Sequence, residues 1–193
     1  MKFAHVVFCT AILWPTLTLT TAAAERLPAC SDEAVSTNCV LSSEERGPWT
    51  IEEVVPRVGF ENAVVVSTPS FEQIPGLFGR DEPAVLILKC DENVTQLEVK
   101  FGENFMSDLG DFGTLVYKVD NQPPVALQTA SSEDRSALGV YDGTQASTLI
   151  QALSGSKNLL VTATSFTGRN MTASFAIDGV QDAVTPLRTL CNW

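Results

Sequence analysis

The side chains of this chain that could do chemistry are its acids, hydroxyls and cysteines, because histidine is nearly missing. The 193 residues include one histidine, His5, and five cysteines. His5 and Cys9 lie in an apolar N-terminal stretch that reads as a secretion signal. Lys2 is its positive n-region, Phe3 to Leu19 its apolar h-region, and Ala22-Ala23-Ala24 its small-residue cleavage site. Cleavage there predicts a mature chain starting at Glu25, with four cysteines and no histidine. Such a chain cannot run Ser-His or Cys-His nucleophilic chemistry or ligate zinc or di-iron through imidazole. It also lacks the side chain most used for proton transfer near neutral pH. A non-enzyme is expected, with no catalytic residue, metal or cofactor.

Three sharper patterns are weighed against that expectation. Ser154-Gly155-Ser156-Lys157 fits the S-x-x-K of penicillin-interacting serine enzymes, but the Ser follows a helical segment instead of opening one, and no Lys-Thr-Gly occurs. Asp91-Glu92-Asn93 and the stretch from Asp108 to Asp111 could ligate calcium, yet neither has the D-x-D-x-D-G order of a calcium loop. Glu133-Asp134 could suggest a glycosidase pair, but neighbours on a strand point to opposite faces and cannot flank one bond. Asn93-Val94-Thr95 and Asn170-Met171-Thr172 are glycosylation sequons only in a eukaryotic source.

Export permits disulfides, so Cys30, Cys39, Cys90 and Cys191 are expected to be bridged. Of the three connectivities, the simplest pairs Cys30 with Cys39 inside one short polar segment and Cys90 with Cys191 over a long range. No C-x-x-C occurs, which argues against redox catalysis and a zinc ribbon. Two competing readings concern the leader. Retention as a membrane anchor is opposed by its threonines and Pro15, leaving no transmembrane segment in the mature chain. Lipidation at Cys30, after Leu27-Pro28-Ala29, is opposed by Glu25 and Arg26, which separate it from the apolar run. The formal net charge is −11, so phosphate-rich partners are disfavoured and nucleic acid is excluded.

These residues must be positioned by a scaffold that the sequence also outlines. After the leader (residues 1–24), residues 25–48 are polar and Ser/Glu-rich and close on Gly47-Pro48, which reads as a disulfide-pinned preface and linker. Residues 49–193 form one domain of ordinary size. In it, short β-branched runs at 63–66, 84–88, 97–101, 114–119, 159–164 and 172–177 alternate with turn residues. The expected fold is all-β, an antiparallel sandwich or barrel-like domain with one or two short helices and a disulfide tie. In the third run Leu97, Val99 and Phe101 face one way and Glu98 and Lys100 the other, predicting one wet face. Ala146, Leu149, Ile150 and Leu153 predict a helix over 144–153. The tail from Val180 to Leu190 is a second helical segment, divided at Pro186.

Several of these segments, taken in order, resemble a known family. Pro83 to Thr95 (P-A-V-L-I-L-K-C-D-E-N-V-T) is similar to a signature segment of the VasI (TagO-like) accessory proteins of bacterial type VI secretion. Tyr117-Lys118-Val119-Asp120 with Pro123, then Ser132 to Gly139 (S-E-D-R-S-A-L-G), then Thr185-Pro186-Leu187-Arg188 with Cys191 and Trp193 follow in the family's order. The segment from Cys30 to Cys39 is shorter than the family's preface and lacks its Arg-Leu and Tyr-Asp elements. The resemblance implies a Cys90–Cys191 bridge. It also implies a structural or partner-binding role for Asn93, Thr95, Asp120, Asp134, Gly139, Arg188 and Trp193. The function it implies is that of a periplasmic, non-enzymatic accessory protein acting by contact with envelope proteins, secretion-system components among them. Alternatives are a module binding a small ligand or glycan, for which Trp49, Tyr117, Phe166 and Trp193 are too scattered in sequence to define a site, and a hydrolase built on carboxylates alone.

Overall fold

The computed structural model describes residues 39–55 and 62–193. The expectations for the leader, for cleavage at residue 24 and for Cys30 lie outside the described residues. Eleven strands form one antiparallel sheet that curls into a nearly closed barrel. They are β1 (Cys39–Arg46), β2 (Trp49–Val55), β3 (Ala63–Pro75), β4 (Asp81–Asp91), β5 (Val94–Lys100), β6 (Thr114–Val119), β7 (Val125–Gln128), β8 (Ala130–Ser131), β9 (Ala137–Val140), β10 (Asn158–Thr164) and β11 (Asn170–Ala176). The helices are α1 (Gly143–Ala152), α2 (Val180–Ala183) and α3 (Thr185–Cys191). Strand order is β7-β6-β10-β11-β3-β4-β5-β9-β8, with the β1–β2 hairpin attached along β3. Among the described residues, no helix is long and apolar enough to cross a membrane.

All six β-branched runs lie in or overlap strands, because branched and aromatic side chains pack well on a pleated surface set against a core. The core is a single cluster that includes Val66, Leu86, Leu88, Val99, Phe101, Val161 and Phe175. β3 is far longer than its apolar run. A register shift between Pro69 and Gln73 lets it pair with β4 on both sides of the break, while Ser70 pairs with Phe175 of β11. That break in register lets one strand serve both halves of the barrel.

Three local features differ from the sequence reading. Residues 39–46 are strand β1, and Gly47-Pro48 is the turn of its hairpin with β2; Gly47 has φ +61°, which glycine adopts without strain. The polar composition of β1 reflects an exposed edge strand. The second difference concerns β5, whose outer face is not wet at Glu98. That residue is buried, accepting from the Tyr141 hydroxyl at 2.8 Å and lying 3.4 Å from the Lys89 ammonium. Burial first, and the Glu98 charge second, push the Tyr141 hydroxyl far above its ordinary pKa, so it remains a donor. In the tail the break falls at Val184, and Pro186 sits in the first turn of α3, where its missing N–H costs no helical bond. The 144–153 expectation matches α1 within one residue at each end, and Asp142 caps it by accepting from the Gln145 amide at 2.8 Å.

Candidate functional site

Four of the seven motif residues converge at one end of the barrel. β4 and β5 are joined by a two-residue hairpin, Glu92-Asn93, with φ +50° and +61°, the left-handed pair of a primed turn that Asn tolerates. Just before it Cys90 is bonded to Cys191 at the end of α3, with Cα atoms 5.8 Å apart. The bridge holds the tail over β5, where the Trp193 indole N–H donates to the buried Thr95 hydroxyl at 2.7 Å. Arg188 lies 5.2 Å above the same indole and donates from Nε to the Trp193 carbonyl at 3.3 Å. Cys39 is also disulfide-bonded. Thr95 and Arg188 thus hold Trp193 from both sides, one through its indole N–H and the other through its ring face and carbonyl.

The other three motif residues stand apart and also build structure. Asp120, at φ +45° in the β6–β7 turn, accepts from the amides of Lys157 (3.2 Å) and Asn158 (2.9 Å), fastening that turn to the start of β10. Asp134 accepts from both Ser132 and Ser136. The Ser132 hydroxyl foremost, with the Ser136 hydroxyl and amide and the Lys100 charge, holds its carboxyl below the usual range although burial pulls the other way. Gly139 faces Glu98 across β5–β9, and a Cβ there would stand 2.6 Å from the Leu97 carbonyl. The chemical patterns do not assemble. Ser154 lies in the turn after α1, and among the described residues no three His, Cys, Asp or Glu side chains gather as metal ligands.

The opposite end of the barrel carries a feature that sequence reasoning missed. Phe166, in the β10–β11 turn, packs its ring 5.6 Å from both Phe105 and Phe112, edge-on to the first at 73° and tilted to the second at 53°. Arg135, from the turn before β9, covers Phe105 at 5.6 Å. The β3–β4 turn adds Leu77 and Phe78, and Leu109 stands nearby in sequence to Phe112. Phe78 is 82% exposed, Leu109 65% and Phe166 50%. The backbones beneath are laced together: Asn104 and Arg169 both donate to the Pro75 carbonyl, at 3.0 and 2.7 Å, and the Phe166 amide donates to the Phe105 carbonyl at 3.0 Å. An ion pair of 2.6 Å joins Arg80 to Glu103. Three connections thus present aromatic groups, and a fourth the covering Arg135, on a fixed frame. The signal was weak because the phenylalanines are far apart in sequence; only Phe105 and Phe112 share a segment.

Of the earlier aromatic candidates, Trp49 is buried and donates to the Asp178 carbonyl, Tyr117 lines an interior slot, and Trp193 belongs to the disulfide end. Phe166 alone belongs to the aromatic end.

Comparison with known proteins bears on the whole barrel. The family described as "Type VI secretion system VasI, EvfG, VC_A0118" matches residues 50–193. No curated protein matches the chain. Among solved structures, invasion associated protein B from Bartonella henselae is similar at 12% identity with a TM-score of 0.49, covering 79% of this chain and 99% of that one. The family match runs from the start of β2 to the last residue, taking in both cysteines of the bridge and every motif residue of the disulfide end. On that match, the chain belongs to the VasI family of the type VI secretion system.

Proposed function

We propose that this protein is an exported, non-enzymatic component of the bacterial envelope that serves type VI secretion by binding a protein partner through its aromatic end. One observation carries the proposal: Phe78, Leu109 and Phe166 are well exposed on connections locked by hydrogen bonds and an ion pair. Exposed apolar groups clustered on one rigid face characterise interaction sites, and aromatic residues with a neighbouring Arg are the side chains enriched at interface centres. Family membership supports a secretion-system partner. The Cys90–Cys191 bond supports an oxidising compartment, and with the leader it favours the periplasm.

The test is site-specific photo-cross-linking in cells, with the cross-linker at Phe78 or Phe166 and, as a control, at the exposed Gln151 on α1. Identified secretion-system envelope components captured from the first two positions and not from the third are expected. Equal capture from all three, or none from the aromatic end, would reject this docking face. A source genome lacking any type VI apparatus would reject the secretion role.

A further inference from the structure

The sheet ends at β7 and β8, and where the β6–β7 hairpin faces α1 and β5 lies a slot of about 100 Å³. Its floor is buried and aliphatic, formed by Leu86, Val99, Leu153 and Val161. Its rim is exposed, formed by Gln122, Pro123, Val125 and Ala152. Interiors pack with few voids larger than a water molecule, and an apolar void gives water no hydrogen-bond partners. An open-mouthed slot with such a floor is therefore suited to an apolar occupant. Two lining residues carry polar groups, the half-buried Tyr117 and the exposed Gln122. Neither the Tyr117 hydroxyl nor the Gln122 side-chain amide has a hydrogen-bond partner among the described residues, while the Gln122 backbone amide donates to the Val119 carbonyl.

We infer that this slot binds a small molecule with an unbranched aliphatic chain and a neutral hydrogen-bonding head, the chain in the slot and the head at Tyr117 and Gln122. Magnitude decides between chain and ring. The slot, at about 100 Å³, is smaller than the roughly 150 Å³ apolar cavity that admits benzene. A chain can instead insert lengthwise and leave its remainder in the mouth. Polarity decides the head: the lining contains no basic residue to neutralise an anion, while the two free polar groups suit a hydroxyl or an amide. This site is separate from the aromatic end, which lies on other connections, and stands or falls independently of it.

The experiment is titration of the folded protein with 1-octanol and with octanoate, followed by methyl NMR of the leucine and valine residues. Octanol is expected to shift the methyls of Leu86, Val99, Leu153 and Val161 saturably, with octanoate about tenfold weaker because its charge meets no counter-ion. Ala152→Leu adds bulk at an exposed rim position on α1 and is expected to weaken octanol more than about tenfold by occluding the mouth. Val161→Ile, which adds one methylene to the floor, serves as the interior counterpart if the first variant folds poorly. Gln122→Ala is expected to weaken octanol roughly fivefold, the worth of one hydrogen bond. Absence of saturable shifts in the floor methyls, or binding that both filled variants leave unchanged, would overturn the proposal.

Discussion

The two ends of this barrel solve opposite problems. At the disulfide end, a covalent bond, a cation over an indole and an indole-to-hydroxyl hydrogen bond turn the motif side chains inward onto one another. At the aromatic end, hydrogen bonds satisfy the backbone beneath while the rings and Leu109 are left facing out. Four of the seven motif residues therefore gather where the fold is fastened, and of the exposed aromatic end only Arg135 comes from a motif segment. In this fold, resemblance to a family reports the fastening more directly than the contact.

Substitutions can sharpen or break that contrast. Removing the bridge with Cys90→Ser and Cys191→Ser is expected to have the largest effect, about 4 kcal/mol lost for so long a loop, read by chemical denaturation under oxidising conditions. Unchanged stability would mean that the end is fastened by something else. Thr95→Val leaves the Trp193 indole N–H without its acceptor in a part-buried site and is expected to cost about 1–3 kcal/mol in the same measurement. Asp134→Asn is expected to cost about 1 kcal/mol at neutral pH by weakening the hydrogen bonds to Ser132 and Ser136. Because the folded carboxyl titrates below its unfolded value, that contribution is complete above the ordinary carboxylate pKa. It is lost as pH falls through the folded one, so wild type and variant should converge in acid. Phe78→Ser is expected to change stability by less than about 0.5 kcal/mol, while reducing cross-linking from Phe166. A large stability loss there would show that the exposed ring is structural after all and erase the distinction between the ends.

The sheet was legible from short β-branched runs set off by turn residues, as in β4, β6 and β10, and α1 was legible from its helical spacing. β1 was not, because an exposed edge strand such as Ser42-Ser43-Glu44-Glu45 carries no apolar alternation and takes its register from pairing with β2. Glu98 misled because alternation predicts facing, and not what lies on that face; Tyr141 reaches it from a segment 43 residues away. The disulfide end could be read from cysteine spacing and the family order. The aromatic end could not, because Phe105 meets Phe166, and the turn carrying Phe78 is bonded to both their segments, only after three separate connections are brought together.

The bridge also imposes an order in time. Cys90 is made 101 residues before Cys191, so a chain emerging from its N-terminus holds an unpaired thiol at the end of β4 while everything from β5 to α2 appears. Only when α3 arrives can that thiol find its mate. Covalent closure thus requires that every barrel strand has already been made, and the native bond ties the middle of the sheet to a segment made long after it.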